Sequence, residues 1–178
     1  MVAIPPQDPL GDPTSQVKIY HIYTDGSPAS LITSLVVSPL DNAFLAPDLT
    51  HFAYKQQVGD PADNIHSLKL ADLSGGPAVE FTTGSLGFGA WAPDSNHFYY
   101  VDWNTRDIYI GKVDDPGIIA SYTNSATDFR WITGDSYFFV YQTESSYQLS
   151  MGTFVIPIAD IIDLGSGSSI PSYTFVKP

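Results

Sequence analysis

The sequence contains no cysteine, which removes disulfides, thiol nucleophiles and thiolate-bound metals from consideration. Basic residues are scarce as well. Seven Lys and Arg stand against nineteen Asp and Glu, a net charge of −12 at pH 7. A surface of that sign repels phosphate backbones, which speaks against nucleic acid as a partner and favours cations or basic proteins. Charged residues in total make up only 15% of the chain, against 43% hydrophobic. That balance excludes both a charged disordered polymer and a Glu/Lys-rich coiled coil. No apolar run approaches the roughly 18 residues that a membrane-spanning helix requires. The start, MVAIPPQDPLGDPTSQ, lacks the basic residues and apolar core of a signal peptide, and this leaves the compartment open.

What is present is aromatic and turn-forming. Aromatics reach 13%, mostly Tyr and Phe, beside 14 Gly and 14 Pro. Many aromatic and β-branched runs cut by many turns describe an all-β protein. The runs also repeat. Ala46, Pro47 and Asp48 in NAFLAPDLTHFAYKQQ recur as Ala92, Pro93 and Asp94 in FGAWAPDSNHFYYVDW, 46 residues later. His51, Phe52 and Tyr54 then fall on His97, Phe98 and Tyr100 without a gap. A weaker third copy, DFRWITGDSYFFVYQ, sets Trp131 on Trp91 at an offset of 40. The segments that follow also correspond: HSLKLADLSGGPAVEFTT parallels RDIYIGKVDDPGIIASYT. A half-copy opens the chain, VKIYHIYTDGSPASLITS, with Pro28 and Thr33 matching Pro77 and Thr82 at a common offset of 49.

Each unit reads as four short strands, with Pro-Asp fixing the turn between the first two. A period of roughly 40–45 residues with four strands per unit is the signature of propeller blades. The units resemble the TolB-like, Pro-Asp-containing blades of β-propellers. WAPDSNHFYYVD and RDIYIGKVD carry that resemblance best, LAPDLTHFAYKQ lacks the Trp, and WITGDSYFFVYQ has lost the Pro. The resemblance covers roughly residues 17 to 150. It departs from the pattern after Pro-Asp, where the expected glycine is Leu49 or Ser95.

The resulting expectation is an all-β, propeller-like chain of about three and a half to four four-stranded antiparallel blades. Residues 1–16 read as a Pro-rich arm or linker, and 17–35 as a half blade. Blades follow at 36–83, 84–123 and 124–160, and the tail 161–178 offers one more strand, able to close the first blade. Typical propellers have four to eight blades. The chain therefore closes as a compact ring, supplies part of a ring built by several chains, or belongs to a longer protein. Within 151–170, IPIADIIDL reads as a terminal strand pair or short capping helix, with an apolar docking segment as the alternative.

Catalytic signatures are weak. His51 and His97 occupy the same place in successive blades, which argues for a structural role, and His21 and His66 belong to no metal-binding spacing. Ser85 in TGSLGFG is one place out of register for a nucleophile elbow. Asp48 and Asp94 read as turn caps rather than a hydrolytic carboxylate pair. Asp128 stands in the place of Gly89 and Ala43, so it breaks the repeat, and Arg130 is its nearest salt-bridge partner. The acidic loops 58–64 and 113–117 lack the spacing of a calcium loop. Trp91 and Trp131 fall at equivalent inner-strand positions and should pack between blades, whereas Trp103 falls outside the repeat. Trp103, Asp128 and Arg130 are therefore the candidate interaction residues; no catalytic residue, cofactor or metal is expected.

By analogy with the fold, the expected role is a non-catalytic binding or scaffold module for a protein partner. One alternative is a structural subunit that self-associates into rings or filaments. Another is a carboxylate hydrolase, which would need acids converging from inner strands. The family resemblance implies a periplasmic or extracellular location.

Overall fold

The structure, a computed structural model, describes residues 2–4, 16–36, 43–74, 77–122, 126–154 and 159–166. These form four antiparallel sheets in chain order. The first has three strands, β1 (Val2–Ile4), β2 (Gln16–His21) and β3 (Ser30–Val36). The second has β4 (Phe44–Leu45), β5 (His51–Gln57), β6 (His66–Asp72) and β7 (Val79–Gly84). The third comprises β8 (Leu86–Trp91), β9 (His97–Asp102), β10 (Asp107–Lys112) and β11 (Asp115–Tyr122). The fourth comprises β12 (Ala126–Trp131), β13 (Ser136–Gln142), β14 (Tyr147–Thr153) and β15 (Ala159–Gly165). Strands adjacent in sequence are adjacent in space throughout, so every sheet is a simple meander. The expected all-β architecture of four-stranded blades is the one observed.

The burial pattern explains the unbroken aromatic runs. In HFYYVD, Phe98 and Tyr100 point into a cluster shared with the second sheet, where they meet Leu68, Leu70 and Phe81. Tyr99 and Val101, on the opposite face, pack in a cluster with Ile108, Phe129 and Tyr137, which spans the third and fourth sheets. A strand alternates its side chains between two faces, so a sheet buried on both is apolar at every position. A third cluster joins Val17 and Ile19 of the first sheet to Phe52, Tyr54 and Ala71 of the second. A fourth, Val140, Tyr147 and Leu149 with Phe138 and Leu164, lies on the far face of the last sheet. Each fully buried Phe, Leu or Ile contributes about 1.5–3 kcal/mol.

Hydrophobic contact has no preferred register, and hydrogen bonds between sheets supply one. The Trp91 Nε1–H donates to the Phe44 carbonyl at 2.7 Å, from one innermost strand to the preceding one. The Trp131 Nε1–H does the same to the Ala90 carbonyl at 3.2 Å. Ala90 follows Phe44 by the same 46 residues that separate the two Ala-Pro-Asp turns, so the two bonds are equivalent. A further tie comes from the buried Lys55, whose Nζ donates to the Leu86 carbonyl at 2.8 Å.

The Pro-Asp turns explain the missing glycine. Leu49 and Ser95 both adopt φ = 61°, the left-handed conformation that a glycine would take without strain. The turns close on themselves through the Leu49 N–H to the Ala46 carbonyl at 2.9 Å and the Ser95 N–H to the Ala92 carbonyl at 3.1 Å. Asp48 and Asp94 cap them: Asp48 Oδ1 accepts the Thr50 N–H, and Asp94 Oδ1 accepts the Asn96 and His97 N–H groups, all at 3.0 Å. Ser95 has a second use, since its Oγ accepts the Asp48 N–H at 2.9 Å and joins one turn to the next.

Two boundaries differ from the sequence reading. The segment read as an arm contributes β1, which pairs with β2 through Val2↔Tyr20 and Ile4↔Lys18. The proline-free Val-Ala-Ile run suits a strand. The last sheet runs beyond residue 160, because β15 continues to Gly165, where φ is 87°. Leu164 packs against the Val140 cluster, and the Ser150 hydroxyl donates to Asp160 Oδ1 at 2.5 Å. Residues 167–178, read as strand material able to close the first blade, lie outside the described residues.

Trp91→Phe should lower the unfolding free energy by about 1–3 kcal/mol, because it removes the indole bond to the Phe44 carbonyl and replaces a buried ring by a smaller one. Trp131→Phe should cost less, its bond being the longer. Urea unfolding measures both, and equal losses would count against a register role for the Trp91 bond. Leu49→Gly should raise stability by up to about 1 kcal/mol, the left-handed strain relieved less the entropy of the added glycine. A lower urea midpoint for this variant would contradict the assignment of strain to Leu49.

Candidate functional site

Antiparallel meanders place their connections at two ends. The Pro-Asp turns and the turns before the outermost strands lie at one end. The loops between second and third strands, and the junctions between sheets, lie at the other. Trp103 belongs to this second end, in the turn between β9 and β10.

Trp103 is 58% exposed and yet held at both its backbone and its ring. Its N–H donates to the Ser85 carbonyl at 2.8 Å. The ring lies on Gly87 of β8: a Cβ there would meet Trp103 Cζ2 at 2.6 Å, so glycine is what admits the indole. Ser85 is itself buried, and its Oγ accepts from Asn64 Nδ2 at 3.1 Å. Asn64 belongs to the loop between β5 and β6, which is closed by the Val58 N–H to the Ile65 carbonyl at 2.9 Å. One serine therefore ties the loops of two neighbouring sheets together. Val58, Ile65 and Trp103, all exposed, lie on the loops so joined.

Asp128 and Arg130 lie on β12, and they form the ion pair expected of them, Arg130 Nε to Asp128 Oδ1 at 3.2 Å. The Arg130 side chain is 66% exposed and that of Asp128 28%, so the guanidinium remains available to solvent. Tyr99 reaches the same pair from the third sheet. Its ring packs 4.3 Å from Phe129 and covers the bulge residue Gly89, where a Cβ would meet it at 2.0 Å. Burial first, and then the negative charge of Asp128, push the Tyr99 phenol above its usual value, with Arg130 acting in the opposite direction.

The ladder corrects one equivalence. The ungapped offset of 40 that sets Trp131 on Trp91 puts Asp128 on Phe88, one place short of Gly89. In the sheets, Trp91 pairs with Phe98 and Trp131 with Tyr137, and counting back from these pairs sets Asp128↔Val140 against Gly87↔Val101. The extra residue is Gly89 in one sheet and Thr127 in the other, and a bulge of this kind is invisible to an ungapped alignment. Asp128 thus occupies in the fourth sheet the position where Gly87 seats Trp103 in the third. The sequence singled out Trp103, Asp128 and Arg130, but not Ser85 as a tie, Gly87 as a seat or Tyr99 as a neighbour.

The remaining candidates are engaged locally. His97 Nδ1 lies 2.6 Å from Asp94 Oδ2, and His51 Nδ1 lies 2.7 Å from the Thr50 hydroxyl. Burial draws the Asp94 carboxyl upward, but hydrogen bonds from the His97 ring and from the His97 and Asn96 amides outweigh it and hold the group below the usual carboxylate range. The Thr50 amide is the main cause of the similar lowering at Asp48. Among the described residues, no three His, Asp or Glu side chains gather closely enough to hold a metal ion, and no helix is long and apolar enough to cross a membrane.

Solved structures place this arrangement. The chain is similar to a eukaryotic initiation factor, with a TM-score of 0.60 and 11% identity over 93% of this chain and 43% of that one. It is similar to the acylaminoacyl peptidase of Pyrococcus horikoshii (TM-score 0.56, 11% identity, 84% of this chain and 28% of that one). It is also similar to the β-propeller domain of the Trilobed protease from Pyrococcus furiosus, which has an open velcro topology (TM-score 0.54, 10% identity, 83% and 53%). The fold is that of a β-propeller. Its sheets are blades, two of them with a Pro-Asp turn between their first two strands. The chain spans between 28% and 53% of the length of these three structures. No family model matches the chain, and neither does any curated protein.

Gly87→Ala should displace the indole of Trp103 without unfolding the blade, since the far end of a side chain is what the new methyl meets. The expected cost is below about 1 kcal/mol. Acrylamide quenching of tryptophan fluorescence should rise in this variant, and unchanged quenching would show that the ring does not rest on Gly87.

Proposed function

We propose that the chain is a non-catalytic binding module, a blade scaffold that engages a protein partner through Trp103, Asp128 and Arg130. The observation that carries this reading is the state of Trp103, more than half exposed while fixed by the Ser85 carbonyl and the Gly87 seat. Exposed aromatics held in one conformation bind with little loss of side-chain entropy, and Trp and Arg are the residue types that most often anchor interfaces. The acids give no support to the hydrolase alternative. Asp48 and Asp94 cap turns at the opposite end from Asp128, which pairs with Arg130. A periplasmic or extracellular setting, implied by the motif resemblance, belongs to the same proposal.

A second reading, assembly between chains, is favoured by one observation. The first sheet has three strands among the described residues where each of the others has four. A strand from another copy would complete it by edge pairing.

Light scattering coupled to size-exclusion chromatography separates the two. A monomer at the chain's 19.4 kDa supports the binding module and removes assembly as the function. A stable dimer or larger ring in which Trp103→Ala leaves the mass unchanged would make assembly the leading reading.

A further inference from the structure

The far face of the last sheet repeats, row by row, a face that the third sheet buries. Directly opposed residues of an antiparallel ladder leave the same side of the sheet. Across the last sheet one such row is Arg130, Phe138 and Met151, and the next is Asp128, Val140, Leu149 and Ile162. Counted from the same tryptophan pairs, the third sheet has Ala90, Tyr99 and Ile110 in the first row and Gly87, Val101, Ile108 and Tyr122 in the second. From β9 to β11 these residues pack against Phe129, Tyr137 and Phe139 of the last sheet. The last sheet keeps the chemistry of that interface: Phe138 stands for Tyr99, Met151 for Ile110 and Ile162 for Tyr122. Its apolar cluster takes all its described members from the last sheet itself. Ile110 is 0% exposed, whereas Met151 is 38% and Ile162 52% exposed. Burial of apolar area is what holds two blades together, and on this face part of that area meets water. The innermost strand is where the repeat is broken, with Arg130 and Asp128 in the places of Ala90 and Gly87. Arg130 pairs with Asp128 through Nε at 3.2 Å, and its side chain is 66% exposed. A guanidinium holds several N–H donors in a planar fork, so one ion pair leaves donors for a second carboxylate.

We infer that this face docks an apolar β-sheet surface of a partner protein, whose branched or aromatic side chains cover Met151 and Ile162 while one acidic residue pairs with Arg130. The apolar part follows from continuity: the chain already builds the same interface between its third and last sheets. The acidic part follows from charge, because a carboxylate is the group that matches an exposed guanidinium fork. A net charge of −12 disfavours a partner that is acidic as a whole, so the fit is a single carboxylate within an apolar face. The first sheet of a second copy does not supply it, since β1, β2 and β3 contain Lys18 and His21 but no Asp or Glu. The inference rests on the binding-module reading and adds the chemistry of the partner.

The test uses the full chain and three disulfide-closed β-hairpin peptides that present Val and Tyr on one face. They differ at one position of that face, which is Glu, Gln or Lys. Binding is followed by the methyl resonance of Met151, told apart from that of Met1, the one other methionine, by the variant Met151→Leu. The Glu hairpin should shift the Met151 signal and bind about tenfold more tightly than the Gln hairpin, the gain of a charge-assisted hydrogen bond. Arg130→Gln should abolish that preference. Val79→Ser, at an exposed apolar residue of β7, should leave both affinities unchanged. The wild-type chain alone decides between the peptides, so the outcome does not depend on a variant that folds. Equal affinity for all three hairpins would overturn the acidic contact and the inference with it. A Met151 signal that none of them moves would overturn docking on this face, while the binding-module reading, carried by Trp103, would stand. A dimer that returns to the 19.4 kDa monomer in Ile162→Ser would put a second copy on this face and overturn the partner.

Discussion

The hydrogen bond from an inner-strand tryptophan to the carbonyl of the preceding inner strand is the constraint on which the arrangement of these blades depends. Sheets apolar on both faces adhere to one another in many registers, because burial rewards area and not alignment. The indole N–H of Trp91 selects one register by reaching the Phe44 carbonyl, and Trp131 repeats the choice at Ala90. Away from these bonds the same pair of blades is tied again, by Lys55 to the Leu86 carbonyl and by Asp48 to Ser95. The second blade has Leu45 where the next two have tryptophan, so its contact with the first blade rests on packing around Val17, Ile19 and Phe52. Interior packing is tight enough that one fixed point per interface propagates to every side chain in it.

Charge is divided between the two ends of the blades by what the backbone demands. At the turn end, Asp48, Asp72 and Asp94 are taken up by amides of the tight turns that they cap, and all three carboxyls are held low, chiefly by those amides for Asp48 and Asp72. At the loop end, loops are longer and acids flank exposed apolar groups. The same residue type is structural at one end and part of a surface at the other, and only the topology separates the two.

Much of this was legible in the sequence, for a physical reason. Ala-Pro-Asp followed by an apolar run is a local code, because turn geometry and strand propensity are decided over a few residues. It located the hairpins β4–β5 and β8–β9 and aligned Trp91 with Trp131. What escaped depends on contacts between segments far apart in sequence. The bulge at Gly89 shifts the count by one and sets Asp128 against Gly87, and no spacing in one strand reveals which residue a ladder will skip. Ser85 invited a reading as a poor nucleophile motif, when its carbonyl and hydroxyl serve two loops. β1 is a three-residue strand, too short to show a period, and its pairing with β2 spans residues 5–15 of intervening chain.

The equivalence of Gly87 and Asp128 has a wider consequence. One backbone coordinate, repeated in each blade at the same depth, carries a bare seat for an aromatic ring in one copy and a carboxylate in the next. Side chains at this coordinate change without disturbing the ladder, whose hydrogen bonds are made by the main chain. The inner strands therefore behave as a row of interchangeable letters on a fixed frame, and recognition by such a protein can be rewritten one blade at a time while the frame stays constant.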